Sequence, residues 1–256
     1  MVKYLLKKSY QRKDLKQINY KDLWNDYGVF TTMWIYGKPP KILFFKSHID
    51  NLIKSTKVYN IYKKDIKKNL FKLIKININK KKNYNHLFRI ALNKHIVSIS
   101  LRERLKPKNN FKLDLVNYER VRPEYKNLKY KTILKHLSKI NTTEKDIALC
   151  VNKKILETGT SNILFISKNK IYSPINNYYK GTNFRFYKKI FKIKKREIFI
   201  NTLHNYDEII LVGSGKGVVS VKSIERINWN RKKIKIYKSI SNTLKRETKK
   251  QKYLYK

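Results

Sequence analysis

The sequence predicts a mixed α+β chain, with α/β character, organised in two domains. Strand-type and helix-type apolar patterns occur in both halves of the 256 residues, and they show no repeat period. A polar segment with proline and two asparagines, residues 107–112, separates the two sets of patterns and has the composition of a linker. We therefore expect a small N-terminal α/β domain over residues 1–106, a linker over 107–112 and a larger C-terminal domain over 113–256.

Each predicted element follows from a local pattern. The extended run at 29–36 and the Gly-Lys-Pro-Pro turn after it predict a hairpin. Apolar residues three and four positions apart then predict helices that begin at His48 and Lys64. The predicted strands are 29–36, 42–45, 87–92, 95–101, 113–122, 146–151, 163–166, 170–174, 207–212 and 218–221, and the helices of the second half are 131–140 and 184–191.

The net charge of +45 arises from 62 basic and 17 acidic residues. Such a charge alone predicts attraction to nucleic acid or to an anionic membrane. However, 51 of the basic residues are lysine and only 11 are arginine, whose planar fork is favoured for reading phosphates and bases. Lysine, asparagine, isoleucine and tyrosine are abundant throughout, as A/T-rich codons would produce. We therefore interpret the charge as a solvated surface and do not expect a nucleic-acid partner.

The rare cysteine and histidine residues exclude several kinds of site. One cysteine, Cys150, excludes an internal disulfide and a cysteine-rich zinc site, and it is typical of a reducing compartment. The five histidines lack the spacing of metal ligands, so no metal is expected. No apolar run approaches the roughly 18 residues of a membrane span, and the N-terminal apolar stretch is too short for a signal peptide. We expect a cytoplasmic protein without a membrane partner.

Glycine occurs only seven times, and three of the seven lie within residues 213–217. In such a composition, the remaining glycines mark backbone positions that do not tolerate a side chain. The cluster lacks the spacing of a P-loop, and the β-like Val218–Val221 follows it where a dinucleotide fingerprint requires a helix. A nest of backbone N–H groups that binds a phosphate remains compatible with this segment.

Two further segments are candidate binding segments. Residues 157–162 place Glu157 beside glycine and hydroxyl residues, which by itself is more typical of a turn. Residues 180–183 precede a predicted helix, where free N–H groups and the helix dipole favour a phosphate. A plain helix start explains residues 180–183 equally well.

Taken in order, seven segments resemble motifs of the class IV aminotransferases, the fold-type IV family that uses pyridoxal 5'-phosphate. The specificity lies in the order of the seven matches, which together cover most of the chain. The segments are 27–32 (similar to the family's YG…FET), 48–52 (HxxRL), 87–90 (LRI), 126–130 (KSLNY), 157–162 (EGTGSN), 181–185 (GITR) and 207–221 (DEVFLTGTAAGVTPV).

The resemblance implies a two-domain fold-type IV enzyme whose C-terminal domain is a pseudo-barrel, with pyridoxal 5'-phosphate as cofactor. It implies that Lys126 forms the internal aldimine and then shuttles the proton, for which a desolvated amine is suited. Lys129 is the rival amine. Glu157 would pair with the pyridine nitrogen, so that the ring acts as an electron sink. The other implied cofactor contacts are Tyr130 at the ring hydroxyl and Thr182, Asn183, Ser214, Gly215 and Asn51 around the phosphate.

Three positions depart from the family motifs. Asn51 replaces the arginine of HxxRL, which removes a charge-assisted contact worth ~1.5–3 kcal/mol, against roughly 1 kcal/mol for a neutral hydrogen bond. Trp34 replaces the arginine of the FETIR strand, and one extra residue precedes Arg185. We expect either a rebuilt phosphate site, with Lys54 as the candidate replacement for the charge, or an altered enzyme.

The leading prediction is transfer of an amino group between a small amino acid and a 2-keto acid, the commoner activity in the family. The short chain and residues 30–32 favour instead 4-amino-4-deoxychorismate lyase, which makes 4-aminobenzoate and pyruvate, whereas residues 160–162 favour branched-chain or D-amino-acid aminotransferases. A second alternative is a catalytically inactive, basic relative that binds nucleic acid. The resemblance also implies a homodimer that acts on a small molecule.

Overall fold

A computed structural model describes residues 3–254 of the chain. The chain divides into two compact units. The first contains Met1–Arg104, Tyr125–Lys131 and Lys250–Lys256, and the second contains Leu105–Glu124 and Thr132–Lys249. Sheets and helices occur in both units, so the predicted mixed α+β class is confirmed.

The strands and helices have the following bounds. The first unit contains β1 (Tyr4–Gln11), β2 (Gln17–Ile18), β3 (Val29–Gly37), β4 (Lys41–Ile42), β5 (Tyr84–Leu92) and β6 (Ile96–Glu103), with helices α1 (Phe45–Val58) and α2 (Ile66–Asn77). The strands of the second unit are β7 (Lys112–Asn117), β8 (Lys145–Val151), β9 (Lys154–Thr158), β10 (Asn162–Ser167), β11 (Lys170–Ser173), β12 (Ile193–Lys195), β13 (Glu208–Gly213), β14 (Gly217–Ser220), β15 (Ser223–Ile224) and β16 (Trp229–Asn230). The remaining helices are α3 (Lys131–Leu137), α4 (Thr182–Ile190) and α5 (Lys235–Lys250). None of the helices between residues 3 and 254 is long and apolar enough to cross a membrane.

Most predicted elements coincide with observed ones, but two strands end three or more residues earlier than predicted. The hairpin arm predicted at 42–45 ends at Ile42, because Phe44 adopts the left-handed conformation and α1 follows at once. The strand predicted at 113–122 ends at Asn117. After it, Arg120 leaves the sheet and binds a buried carboxylate that is described below.

The first unit is an antiparallel sheet packed against two helices. Its strand order is β2-β1-β6-β5-β3-β4, and each neighbouring pair is antiparallel. Met33 and Phe88 of the central strands share one core with Leu52 of α1 and Leu70 of α2. Burial of each such side chain contributes about 1.5–3 kcal/mol, so this core stabilises the central strands of the sheet.

Residues 125–131 belong to this first unit, although the sequence-based boundaries assign them to the C-terminal domain. The Phe30 N–H donates to the Lys126 carbonyl at 2.9 Å, beside an antiparallel bridge between the two segments. Gly28 is closely surrounded at this point, since a Cβ there would lie 2.3 Å from the Leu92 carbonyl oxygen of β5 and 2.7 Å from Leu128 Cδ1 of this segment. Such pairing between distant segments leaves no local pattern in the sequence.

The second unit consists of two five-stranded sheets around one core. Their strand orders are β12-β11-β10-β13-β14 and β16-β15-β7-β8-β9, and the pairs β11–β12, β7–β8 and β15–β7 are parallel. Phe165 and Leu211 of the first of these sheets share the core with Leu113 and Ala148 of the other. The segment 107–112, which composition predicts to be a linker, contributes the fully buried Phe111 to the same core.

Helix α5 has no counterpart among the predicted elements. Its lysine-rich composition obscures the few residues that face inward, such as Ile240 and Leu244. Its N-terminus is held by Glu208 of β13, whose carboxylate accepts the backbone N–H groups of Ile236 and Tyr237 at 2.9 Å each. A carboxylate in this position stabilises a helix through hydrogen bonds and through the helix dipole.

Candidate active site

Lys126 and its neighbour Lys129 lie in different surroundings. Lys126 is half-buried, and its Nζ lies 5.1 Å from the centroid of the Phe30 ring. Lys129 is exposed, and its Nζ donates to the Asn25 carbonyl at 2.7 Å. The backbone of Lys126 is also held by β3. A partly desolvated amine on a rigid backbone is better suited to covalent chemistry than an exposed one.

Tyr130 is positioned by an aromatic cluster. Its ring contacts Phe30 edge-on, with 5.5 Å between centroids, and stacks on Trp24 at 5.6 Å. Arg89 lies 4.3 Å from the Trp24 ring and donates to Asp22 at 2.8 Å. Each aromatic pair contributes roughly 0.5–1.5 kcal/mol beyond the area that it buries. The sequence analysis missed Trp24. The rarity of tryptophan, which occurs three times in the chain, could have marked this residue as a candidate.

Helix α1 places His48 and Asn51 in the same unit as Lys126. His48 is buried, and its Nδ1 lies 2.9 Å from the Thr31 hydroxyl on β3. Burial, and then the positive charge of Lys126, lower the pKa of His48 to about 3, so the ring is neutral near pH 7. Asn51 is half-buried, and its carbonyl accepts the Ser55 hydroxyl. His48 is therefore a neutral partner that ties α1 to β3.

Glu157 forms a buried ion pair with Arg120. The Arg120 Nε lies 2.7 Å from Glu157 Oε1, and the two side chains are 4% and 7% exposed. The guanidinium also donates to the Pro123 carbonyl, and the Tyr179 N–H approaches the second carboxylate oxygen at 3.4 Å. These contacts hold the carboxylate in one orientation. The sequence analysis missed Arg120. Arginine occurs at only 11 positions, and lysine cannot reproduce the planar guanidinium, so the presence of arginine here could have marked the residue as a candidate.

The start of helix α4 brings predicted phosphate ligands together. The helix begins at Thr182, and Gly181 before it provides no side-chain cap. Asn183 is 1% exposed, and its Oδ1 accepts the Ser214 hydroxyl at 3.2 Å. Its Nδ2 is buried and has no hydrogen-bond partner among the residues that the structure describes. An orphaned donor beside a helix N-terminus fits a ligand with anionic oxygens.

Ser214 and Gly215 lie in the turn between β13 and β14. Gly213 pairs with Gly217 across the hairpin, and Gly217 has a φ of +77°, a conformation that favours glycine. The predicted β-like continuation is confirmed by β14, so the cluster is neither a P-loop nor a dinucleotide fingerprint. A Cβ on Gly213 would lie 2.7 Å from the Ser161 hydroxyl, so this turn lies directly against the turn before β10.

The predicted site residues thus form one group in each unit. The second unit fits the implied cofactor, because it combines an orphaned buried amide, an uncapped helix start and a carboxylate of fixed orientation. The first unit contains Lys126, the predicted catalytic lysine. The first group is Lys126, Tyr130 and Asn51, and the second is Glu157, Thr182, Asn183, Ser214 and Gly215.

The sequence matches the model of the family described as amino-transferase class IV over residues 28–224. This match covers more than half of the chain, so the chain belongs to the class IV aminotransferase family, whose members are pyridoxal-phosphate-dependent enzymes. The resemblance stated from the motifs is confirmed. A comparison with curated protein sequences finds no match.

Several solved structures share the fold. A branched-chain aminotransferase from Thermoproteus uzoniensis with norvaline gives a TM-score of 0.75 at 16% identity, covering 96% of this chain and 97% of that one. A structure from Legionella pneumophila, described as a 4-amino-4-deoxychorismate lyase, gives a TM-score of 0.69 at 16% identity. The match covers 86% of this chain and 91% of that one. The PLP-bound form of a hypothetical aminotransferase from Mycobacterium tuberculosis gives a TM-score of 0.67 at 11% identity. The match covers 93% of this chain and 98% of that one. At these identities the likenesses show the fold alone, and they confirm the predicted fold-type IV class.

We expect Arg120→Met to lower the free energy of unfolding by about 3–5 kcal/mol, because it leaves the Glu157 carboxylate buried without its cation. Arg246→Met is the control, since Arg246 is exposed on α5, and it should change the free energy by less than about 0.5 kcal/mol. Denaturant unfolding of both variants measures the difference. Equally small changes would show that Glu157 does not depend on Arg120.

We also expect His48 to make the protein less stable as the pH falls below 6.5. Its pKa is lowered to about 3 in the folded state. The unfolded chain therefore takes up the proton first, and each pH unit below 6.5 costs about 1.4 kcal/mol. Between pH 7 and pH 5, the free energy of unfolding of His48→Gln should fall by about 2 kcal/mol less than that of the wild type, as measured by denaturant unfolding. The same pH dependence in both proteins would mean that the folded state accepts the proton on His48.

Proposed function

We propose that this class IV enzyme transfers an amino group between a small amino acid and a 2-keto acid, with pyridoxal 5'-phosphate as cofactor and Lys126 as the catalytic amine. The observation that carries the proposal is the environment of Lys126, which lies within the matched family region. Its side chain is half-buried at the Phe30 ring and its backbone is held by β3, whereas Lys129 is exposed and bonded to a carbonyl.

When bound, pyridoxal phosphate supplies an aldehyde carbon that bonds to amines and a ring that accepts electrons from the α-carbon of the substrate. Lys126 would hold that carbon through its Nζ and, once the substrate has displaced it, would move the α-proton. Glu157, oriented by Arg120, would keep a proton on the ring nitrogen. Tyr130, held by its aromatic neighbours, would bind the ring hydroxyl.

The phosphate would be bound mainly by neutral donors. Asn183 Nδ2, the Ser214 hydroxyl, the Gly215 N–H and the N–H groups that begin α4 are the donors of the proposed site. A helix N-terminus adds about 0.3–1 kcal/mol for a negative charge, less than the arginine contact that Asn51 lacks. Lys54, exposed and three residues further along α1, remains the proposed source of a compensating charge.

A second candidate function is 4-amino-4-deoxychorismate lyase activity. The structure described as such a lyase has a TM-score of 0.69, against 0.75 for the branched-chain aminotransferase, so the fold is shared with both. The sequence at residues 30–32 favours the lyase. Both reactions use an amine, a ring-nitrogen partner and a phosphate site, so the proposed residues serve either one.

We further propose that the enzyme is a homodimer, as the family resemblance implies, and that it works in a reducing cytoplasm. Cys150 supports the second proposal, because it is the single cysteine of the sequence and cannot form an internal disulfide. Its thiol is buried in the core of the second unit. Burial raises the pKa of that thiol to about 12, so it is not a reactive nucleophile.

We expect Lys126→Ala to abolish the visible absorbance that wild-type protein should show after incubation with pyridoxal phosphate, because the bonded amine is removed. Lys129→Ala is the matched control and should keep both the absorbance and the activity, since its Nζ binds only a backbone carbonyl among the described contacts. Absorbance spectra of the purified proteins measure this.

Borohydride reduction followed by peptide mapping should then place the cofactor on residue 126. An unaltered spectrum in Lys126→Ala would reject this lysine. A colourless wild type that binds nucleic acid with steep salt dependence would instead favour the inactive binding relative.

We expect turnover with a panel of small amino acids and 2-keto acids, in which loss of one amino acid matches the formation of another. Incubation with aminodeoxychorismate is the parallel assay. Release of 4-aminobenzoate and pyruvate, without exchange in the panel, would assign the lyase function. Chromatography of the amino acids and of the aromatic product separates the two outcomes.

A further inference from the structure

Asp146, in strand β8, is a fully buried carboxylate beside the turn that follows Glu157. Its Oδ1 accepts the Ile147 N–H at 2.9 Å. Its Oδ2 accepts the hydroxyl of Thr158 at 3.1 Å and that of Thr160 at 2.6 Å. Since Thr158 ends β9 and Thr160 lies in the connection from β9 to β10, the carboxylate holds this turn in one conformation.

Lys216 joins a second turn, between β13 and β14, to the same carboxylate. Its Nζ lies 3.3 Å from Asp146 Oδ2 and donates to the Thr160 hydroxyl at 3.0 Å. The Lys216 side chain is 10% exposed, whereas the lysine of a surface pair such as Lys154–Glu197 is 39% exposed. In a chain with 51 lysines, this one is not part of the solvated surface.

The two turns also lie in direct contact next to this ion pair. A Cβ on Gly213 would lie 2.7 Å from the Ser161 hydroxyl of the other turn, and a Cβ on Gly159 would lie 2.8 Å from the Ile147 side chain of β8. Neither glycine can gain a side chain unless a neighbouring group moves. The contact and the ion pair therefore fix one turn relative to the other.

We infer that Lys216 is a positioning residue for the phosphate site, and this inference rests on the proposed function. By binding Asp146, its ammonium group fixes the turn that presents the Ser214 hydroxyl and the Gly215 N–H. A phosphate dianion needs both donors at set positions, and Ser214 already lies within hydrogen-bond distance of Asn183. The charge of Lys216 is neutralised within the protein, so it does not replace the missing family arginine.

The experiment compares the cofactor with and without its phosphate. Pyridoxal phosphate and pyridoxal are titrated into the full-length, cofactor-free wild type, Lys216→Met and the surface control Lys154→Met. In Lys216→Met, the Kd for pyridoxal phosphate should rise about tenfold or more, while the Kd for pyridoxal changes less than about twofold. The control should change neither value. Lys216→Arg, which keeps the charge, should recover most of the affinity for pyridoxal phosphate.

Hydrogen exchange on the cofactor-free proteins gives a readout that does not require cofactor binding. In Lys216→Met, the amides of residues 214–217 should exchange about tenfold faster or more, whereas those of β10 should keep the wild-type rate. Faster exchange throughout the second unit would indicate a general loss of stability and would overturn the positioning role.

The outcomes separate this inference from the function on which it rests. An equal loss of affinity for pyridoxal and for pyridoxal phosphate, or no loss of either, overturns the role of Lys216 and leaves the proposed function standing. A wild type that binds neither compound overturns the proposed function and the inference with it.

Discussion

A carboxylate that leaves water must find donors for its charge, and the second unit depends on this requirement at three places. Glu157 is paired with Arg120, Asp146 is paired with Lys216 and two hydroxyls, and Glu208 accepts the first N–H groups of α5. Each carboxylate therefore fixes a segment that is distant in sequence. With 62 basic residues on the chain, these acids are not needed to balance a surface charge, and they serve instead as internal anchors.

Close approach of backbones is the second constraint on the site. A Cβ would lie within 3 Å of a neighbouring atom at Gly28, Gly181 and Gly213. Each of these glycines adjoins a segment that carries a proposed cofactor residue: Gly28 lies beside the Lys126 segment, Gly181 precedes α4, and Gly213 begins the Ser214 turn. The rare glycines thus mark the proposed site, because the absence of a side chain at these positions permits close contacts that a residue with a Cβ would block.

Apart from the compensating charge proposed for Lys54, the large positive charge contributes little to the proposed phosphate site. The described donors of that site are amides, a hydroxyl and a helix N-terminus. Lys216, two residues after Ser214, is neutralised by Asp146. Exposed lysines act at long range only until salt screens them, over about 8 Å at physiological ionic strength. The fold is shared with an aminotransferase and with a structure described as a 4-amino-4-deoxychorismate lyase, so the substrate is decided by the side chains around the site and not by the architecture.

By itself, the sequence determined the α+β class, most strands and helices, and the segments that carry the proposed site, because local periodicity and rare residue types specify them. It did not reveal β1 or α5, where lysines interrupt the apolar pattern, or the early end of the strand before Phe44. Only the tertiary structure decided that Arg120 orients Glu157 and that Lys216 binds beside Thr160. These partners lie 37 and 56 positions apart, and contacts across such separations depend on how strands are arranged, which no local spacing encodes.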